Sequence, residues 1–159
     1  MSKEFTHVDE KGTPGMVDIS SKVESERIAI ASGKVLMPVN VLNDLKAVDF
    51  TTGKGSIKHT AIIAATMAVK NTFQTIPLCH QIPISSCKIN ITEQDYGMFI
   101  NCSVKTRSNT GVEMEALNGV SVAALTIYDM CKAKSHEILI TEIQLEMKKG
   151  GKRDYERNA

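Results

Sequence analysis

The sequence predicts an α+β fold in which helices pack on one face of an antiparallel sheet. Residues 27–37, 87–104 and 138–147 carry alternating or closely spaced apolar residues, a pattern typical of half-buried strands. Residues 57–73 and 111–133 instead place apolar and small residues at helical spacing. This mixture of strands and helices fits a two-layer α+β sandwich.

The first half of the chain begins with a predicted strand at 27–37 and a short helix at 38–48. A proline at the start of that helix suits its first turn, because the fixed φ angle of proline is already helical. The glycines on either side of Lys54 predict a loop. Ser56 is a typical N-cap for the helix at 57–73.

The second half is predicted to contain a hairpin, a long helix and a final strand. Apolar residues alternate with polar ones on both sides of Gly97, which predicts a β-hairpin over 87–104. The helix at 111–133 follows, and the strand at 138–147 is expected to carry a bulge near Thr141. The resulting order is β-α-α-β-β-α-β, which matches helices on one face of an antiparallel sheet.

Composition limits the classes of partner. The 159 residues suffice for one domain with one hydrophobic core. The 19 basic and 18 acidic residues nearly cancel, so we expect neither a nucleic-acid nor a membrane partner. The absence of Trp and an aromatic content of 4% argue against stacking on nucleobases. Any anionic ligand must be held by a local cluster of basic residues.

Three segments are expected along the chain. Residues 1–15 are polar and contain glycine and proline, which indicates a flexible N-terminal arm. Residues 16–148 are expected to form a single catalytic domain, and residues 149–159 a basic C-terminal tail. The chain opens without an apolar leader, and its four cysteines lack the paired spacing of a zinc site. We therefore expect free thiols, no bound metal and a cytoplasmic protein.

The predicted helix at 111–133 carries charged residues among apolar ones. A buried charge without a partner costs several kcal/mol or is neutralised by a shift of its pKa. Glu113 has a structural alternative, because Thr110 and Glu113 have the spacing of a capping box at a helix N-terminus. Glu115 has no such explanation, so it is a candidate binding group.

Asp129 and Lys132 form a second charged pair on the same helix. They lie three positions apart, so their side chains face each other. One interpretation is a solvated ion pair worth a few tenths of a kcal/mol. The apolar residues around them, including Leu125 and Met130, favour a buried pair that acts as a matched proton donor and acceptor.

The two ends of this helix cannot reach the same small ligand. Glu115 and Asp129 are about 21 Å apart along a straight helix. Three interpretations remain: a long ligand, a break of the helix near Asn118–Gly119, or a site shared between subunits. The small residues on both long helices are compatible with close packing against another subunit.

Shorter motifs add three candidate ligand-binding groups. His80 lies between Pro77 and Pro83, where it is either a hydrogen-bonded loop residue or a rigidly held binding group. Lys54 lies between two glycines just before a helix, an arrangement that suits an anion. Lys148 precedes a glycine pair and is either a solvated tail residue or a phosphate ligand.

Six segments together identify a family resemblance. They are Thr6–Val8, Met16–Asp18, Leu78–His80, Gly111–Leu117, Ala123–Ala133 and Lys148–Lys152. In order and spacing they resemble the cyclic pyranopterin monophosphate synthase family, the C proteins of molybdenum cofactor biosynthesis. The resemblance covers about residues 5–152.

This resemblance implies a ferredoxin-like α+β sandwich that assembles as a homohexamer, a trimer of dimers with active sites at subunit interfaces. It implies that the substrate is cyclised dihydro-GTP, supplied by a radical S-adenosylmethionine GTP cyclase. The products would be cyclic pyranopterin monophosphate and pyrophosphate. No protein-bound cofactor is implied, and the presence of Mg²⁺ with the triphosphate stays open.

The resemblance also implies roles for individual residues. Asp129, Lys54 and Lys132 fall on the catalytic positions. Lys148, with Lys54 nearby, is expected to neutralise the triphosphate. The positions linked to substrate binding fall on Leu78, Cys79, His80, Glu113, Met114, Glu115, Lys148 and Asp18.

The chain departs from the family pattern in two places. Gln81 follows His80 where the family usually has proline, and Ser56 stands where the Lys54 loop usually has aspartate. Two other classes of function remain as alternatives, a nucleotide-binding regulatory domain and a purely structural oligomeric scaffold. The pair of Asp129 with its lysine counts against a regulatory domain, because binding alone needs no matched proton pair.

Overall fold

A computed structural model describes residues 12–158 and confirms the predicted α+β architecture. The predicted order is present, with a short hairpin, a short helix and an edge strand added to it. No helix in this range is long and apolar enough to cross a bilayer. The elements are β1 (Ser25–Leu36), α1 (Val39–Ala47), β2 (Thr51–Thr52), β3 (Gly55–Ser56), α2 (Ile57–Lys70), α3 (Thr72–Thr75), β4 (Ser86–Gln94), β5 (Gly97–Ser108), α4 (Glu113–Cys131), β6 (Leu139–Lys149) and β7 (Tyr155–Glu156).

β1 lies at the centre of a five-stranded antiparallel sheet. The strand order is β4-β5-β1-β6-β7, and β1 pairs with β5 without interruption from Ser25 to Leu36. The helices α2 and α4 pack against each other and against this sheet. The strand order and the helical layer are those of a ferredoxin-like sandwich, so the predicted fold class is confirmed.

Small residues let α4 approach both α2 and the sheet. On the sheet side, Ala29 and Ala31 of β1 are fully buried. Within α4, a Cβ atom at Gly119 would lie 2.7 Å from Val69 Cγ2 and 3.0 Å from Cys102 Sγ. Because this contact holds the middle of α4 in place, it also fixes the positions of the two ends of the helix.

The helix α2 begins where the sequence predicts. The Ser56 hydroxyl accepts a hydrogen bond from the His59 N–H at 3.4 Å, which confirms the predicted N-cap. The helix ends at Lys70, earlier than expected, and the next residues form the separate helix α3.

The pairing of β1 with β6 is irregular at the predicted bulge. Ser32 pairs with Gln144 and Lys34 pairs with Thr141, so three steps on β6 face two steps on β1. Glu142, inside this interval, has a φ angle of 52°. The prediction of a bulge near Thr141 is therefore confirmed.

The segment predicted as a basic C-terminal tail returns to the sheet. β6 extends through Lys149, and β7 pairs with β6 at Tyr155 and Glu156. The Ser25 hydroxyl donates to the Gly150 carbonyl at 2.8 Å. The basic residues near Lys149 consequently lie beside the start of β1. Most of the predicted N-terminal arm, residues 1–11, lies outside the described range, and so does the Thr6–Val8 segment.

Candidate active site

Lys54 is carried by a short hairpin against the C-terminal end of α4. Phe50 is buried just before the hairpin, and its carbonyl accepts a hydrogen bond from the Ile57 N–H at 3.0 Å. Lys54 occupies the turn between β2 and β3, where its N–H donates to Thr52 Oγ1 at 3.1 Å. The hairpin is thus closed at its base and anchored in the core, which directs the Lys54 side chain outward.

Asp129 lies between two lysines. Its Oδ1 atom is 2.7 Å from Lys132 Nζ, and its Oδ2 atom is 3.5 Å from Lys54 Nζ. The hydrogen bond and charge of Lys132, followed by the charge of Lys54, hold the pKa of Asp129 below its usual value. Asp129 in turn raises the pKa of Lys132. These three residues line a cleft of about 570 Å³.

The surroundings of this cluster differ from the prediction. The side chains of Asp129 and Lys132 are 53% and 50% exposed, so the expected buried pair is wrong for the single chain. The cause is helix geometry, because Ile127 and Met130 face the core while Asp129 and Leu125 lie on the outer side of α4. Ile127 and Met130 therefore do not enclose the carboxylate, and Leu125, one turn away on the same outer side, is itself 59% exposed.

A second group of predicted residues surrounds a cavity of about 330 Å³ at the N-terminal end of α4. The loop after α3 supplies Leu78, Cys79 and His80. The first turn of α4 supplies Met114 and Glu115. The structure brings these two distant segments together at one cavity. The other residues that line the cavity are Val17, Ile19, Lys22, Ile82, Thr110, Gly111 and Glu113.

Glu115 is the buried carboxyl group of this cavity. It is only 4% exposed. Burial, with a smaller contribution from the charge of Glu113, raises the pKa of Glu115 to about 7. Burial and the charge of Glu115 also raise the pKa of the Cys79 thiol. A carboxyl group that titrates near neutral pH can meet a polar ligand as hydrogen-bond acceptor or donor.

Asp18 lies beside this cavity and near His80. The Ser20 N–H donates to Asp18 Oδ1 at 2.8 Å. This hydrogen bond, with a smaller contribution from His80, lowers the pKa of Asp18. Asp18 itself is exposed, whereas its neighbours Val17 and Ile19 line the cavity. The structure therefore places Asp18 at the rim and not in the wall.

Glu113 does not form the predicted capping box. α4 begins at Glu113, so Thr110 is too far from the helix to serve as its N-cap, and Val112 takes that position without a side-chain hydrogen bond. The Glu113 carboxylate instead reaches β6, where Lys148 Nζ lies 2.9 Å from Oε1. An ion pair between α4 and β6 thus replaces the expected hydrogen bonds between Thr110 and Glu113.

Lys148 also lines a larger, basic cleft of about 690 Å³. Four other basic residues line this cleft: Lys22, Arg27, Lys149 and Lys152. Four residues line both the cleft and the Glu115 cavity: Lys22, Thr110, Gly111 and Glu113. The two spaces therefore adjoin each other. Lys22 and Arg27 were missed as candidates because they belong to no motif, and only the pairing of β1 with β6 reveals their position.

The two clusters of predicted residues lie at opposite ends of α4. Glu113 and Asp129 are about 24 Å apart along the helix, and the helix continues without a break between them. This continuity excludes one of the three interpretations, a break of the helix near Asn118–Gly119. Because Glu113 binds Lys148 and Asp129 binds Lys54, these two lysines lie far apart within one chain. A long ligand or a site shared between subunits remains.

The cysteines and acidic residues form no further cluster in the described chain. All four cysteines are free thiols, as predicted; Cys102 and Cys131 are buried, whereas Cys79 and Cys87 are half-buried. Within residues 12–158, no three His, Cys, Asp or Glu side chains come together in a way that could hold a metal ion.

Known proteins are similar in sequence to this chain over nearly its full length. The profile of the MoaC family matches residues 16–151. A protein of Xanthomonas axonopodis pv. citri named cyclic pyranopterin monophosphate synthase is 49% identical over 154 residues, which cover 96% of this chain and 93% of the relative. A Clostridium acetobutylicum protein of the same name is 46% identical over 160 residues, with 99% and 98% covered. The molybdenum cofactor biosynthesis bifunctional protein of Synechocystis sp. is 51% identical over 155 residues, which cover 94% of this chain and 45% of that protein. The chain belongs to the MoaC family.

Proposed function

We propose that this protein catalyses the reaction for which its relatives are named. It would convert cyclised dihydro-GTP into cyclic pyranopterin monophosphate and pyrophosphate, an early step of molybdenum cofactor biosynthesis. The observation that carries this proposal is the junction of two spaces of different chemistry, a basic cleft and a cavity with the buried Glu115. A ligand with a phosphate chain at one end and a polar ring system at the other fits such a pair.

The phosphate chain would occupy the basic cleft. Lys148, Lys22 and Arg27 come from different parts of the fold and line the same space. Charge-assisted hydrogen bonds from lysine and arginine to phosphate oxygens are stronger than neutral ones. Such groups would stabilise the charge that develops on pyrophosphate as it leaves.

The guanine-derived part would occupy the smaller cavity. Glu115 and His80 supply the polar groups there, and Leu78, Cys79 and Met114 supply apolar surface. An ionised Glu115 can accept two hydrogen bonds from adjacent N–H groups of a guanine-like edge. Binding of the ring at this depth would hold the reacting atoms in a fixed orientation.

The Lys54, Asp129 and Lys132 cluster would move protons during ring opening and reclosure. Asp129 lies beside both lysines, so the cluster offers the substrate a carboxylate that can accept a proton next to an ammonium group that can donate one. The cluster opens onto its own cleft, where a substrate atom can reach it. Because one chain holds this cluster far from the Glu115 cavity, the site proposed here, unlike a site for a long ligand, requires a second copy.

A homohexamer, a trimer of dimers with interface active sites, would satisfy this requirement. Apolar side chains stand on the outer surfaces of the two long helices, where Ile63, Met67 and Leu125 are 63%, 58% and 59% exposed. Ile63 and Met67 lie one turn apart on α2, and contiguous exposed apolar surface is typical of contacts with other protein chains. The proposed assembly would cover them.

The proposal also defines what the protein needs from its surroundings. The substrate would be supplied by a radical S-adenosylmethionine GTP cyclase in the cytoplasm. The rearrangement involves no net oxidation, so the proposal includes no protein-bound cofactor. Mg²⁺, where present, would belong to the triphosphate of the substrate.

The direct test is to incubate the purified protein with enzymatically made cyclised dihydro-GTP. Pyrophosphate release and pterin fluorescence after oxidation are followed together. The proposal expects both products in equal amounts from the wild-type protein and neither from the Asp129→Ala variant. Tight binding without either product would overturn it in favour of a regulatory domain that binds nucleotides.

A further inference from the structure

An ion pair stands at the junction of the two proposed substrate spaces. Lys148 Nζ lies 2.9 Å from Glu113 Oε1, and the two side chains are 38% and 28% exposed. Glu113 lines both the basic cleft and the Glu115 cavity, whereas Lys148 lines the cleft. The pair is therefore reached by solvent and by any ligand that spans the two spaces.

The negative charge of Glu113 opposes the positive charge of the cleft. Among the described residues that line the cleft, five are basic and Glu113 alone is acidic. Its carboxylate neutralises Lys148 and repels an incoming anion. A site designed only for tight phosphate binding would gain affinity by losing this carboxylate.

Gly111 provides the space that this ion pair requires. A Cβ atom at position 111 would lie 2.7 Å from Glu113 Cδ and 2.9 Å from Glu113 Oε1. A side chain at this position would push the Glu113 carboxylate away from the place where it meets Lys148. The geometry of the pair thus depends on two positions in the loop and the helix, and not on Glu113 alone.

We propose that Glu113 is an internal counter-ion that holds Lys148 while the cleft is empty, and that a phosphate group must displace it. This inference rests on the proposed function, which places the phosphates in the cleft. When the substrate binds, Lys148 exchanges the Glu113 carboxylate for a phosphate oxygen. When pyrophosphate leaves, the Glu113 carboxylate pairs with Lys148 again. Glu113 therefore lowers the affinity for the released product and favours its departure.

Removing Glu113, although it lines the site, should strengthen the binding of pyrophosphate. In the Glu113→Gln variant, Lys148 is no longer neutralised, and we expect pyrophosphate to bind up to about fivefold more tightly, the effect of a partly exposed ion pair. The Gly111→Ala variant displaces the same carboxylate without removing it, so it should change the affinity in the same direction. The Lys148→Gln variant should bind pyrophosphate more weakly than the wild type.

The test is calorimetric titration of the full-length protein with pyrophosphate. Glu24→Gln is the matched control: Glu24 is adjacent to two residues of the cleft, but its carboxylate pairs with Arg107 at 3.6 Å. This control removes one negative charge near the cleft and should leave the affinity almost unchanged. Thermal unfolding curves establish that each variant is folded.

The outcomes separate this inference from the proposed function. Tighter binding in both Glu113→Gln and Gly111→Ala, but not in Glu24→Gln, supports the counter-ion. If Lys148→Gln weakens binding while Glu113→Gln does not strengthen it, the counter-ion is overturned and the phosphate cleft stands. If pyrophosphate binds equally to the wild type and Lys148→Gln, or to neither, the assignment of the phosphates to this cleft fails as well.

Discussion

The Lys54 ammonium group lies 3.5 Å from the Asp129 carboxylate, although the two residues belong to different elements of the fold. The hairpin of β2 and β3 brings the lysine to the last turns of α4. There Lys132 binds the other oxygen of the same carboxylate at 2.7 Å. Asp129 thus has a basic group on each oxygen, and it is the residue on which the proposed proton transfers depend most.

Replacing Asp129 by asparagine should lower kcat by about a hundred- to ten-thousand-fold, the range for loss of a general acid or base. The side chain keeps its shape, so folding and substrate binding should change little. Single-turnover kinetics and a binding titration measure the two effects separately. Asp44→Asn is the matched control, because Asp44 pairs with Lys134 at 2.9 Å in an exposed ion pair of similar kind. Equal activity of the two variants would contradict the role of Asp129.

The pH dependence of kcat/KM should follow Glu115 and not Asp129. The lysines keep the pKa of Asp129 below its usual value, so this carboxylate is already ionised throughout the neutral range. Burial raises the pKa of Glu115 to about 7, and its ionised form would accept the proposed hydrogen bonds from the ring of the substrate. We expect kcat/KM to rise between pH 6 and 8 by titration of this group.

The Glu115→Gln variant tests this assignment. Its kcat/KM should be lower at pH 8 and should lose the inflection near pH 7. Residual activity of Asp129→Asn should keep that inflection. An inflection that disappears with Asp129→Asn and persists in Glu115→Gln would show the reverse assignment.

Burial of Glu115 should also make stability depend on pH. Its folded-state pKa of about 7 lies above the ordinary value of 4.5, so the folded protein binds more protons than the unfolded chain between these values. Stability should therefore fall as the pH rises from about 4.5 to 7, by about 3 kcal/mol for this group. Urea denaturation at fixed protein concentration measures the free energy of unfolding at each pH. Glu115→Gln should exceed the wild type in stability at pH 8, and an advantage at pH 4 instead would contradict the account.

The contact at Gly119 should be sensitive to a single methyl group. A Cβ atom there would meet Val69 and Cys102, both fully or nearly fully buried. Overpacking of this kind costs about 1 to 3 kcal/mol, which exceeds the helix propensity that alanine gains over glycine. Gly119→Ala should therefore lower the midpoint of thermal unfolding. Ser121→Ala, two positions along the same helix, should change it far less.

Local patterns in the sequence predicted the elements of the fold well, because their causes are local. Alternation around Gly97 gave the β4–β5 hairpin, and Ser56 marked the start of α2. The irregular step in the last strand was also visible near Thr141. Each of these signals depends on neighbouring residues alone.

The environment of the candidate site was less predictable, because it depends on contacts between distant segments. Glu113 has the spacing of a cap, yet its partner is Lys148 on another strand. Ile127 and Met130 flank Asp129 in the sequence, yet helical rotation turns them toward the core and leaves the carboxylate exposed. Lys22 and Arg27 are ordinary charged residues until β1 pairs with β6.

The claim that matters most is that the site is completed by two copies of the chain. Its separate halves are the cluster around Lys54 and the space around Lys148, at opposite ends of α4. Lys54→Ala and Lys148→Ala should each be nearly inactive as pure proteins. In assemblies that contain both variants, some sites receive the intact half of each chain.

The most direct measurement is turnover by such mixed assemblies, made by co-expressing the two variants with different tags. Random mixing places both intact halves together in about one site in four, so we expect about a quarter of the wild-type turnover. As a control, a chain that carries both substitutions is co-expressed with both tags. Its assemblies should show no turnover. Mixed assemblies that contain both chains and stay as inactive as the pure variants would show that each chain works alone.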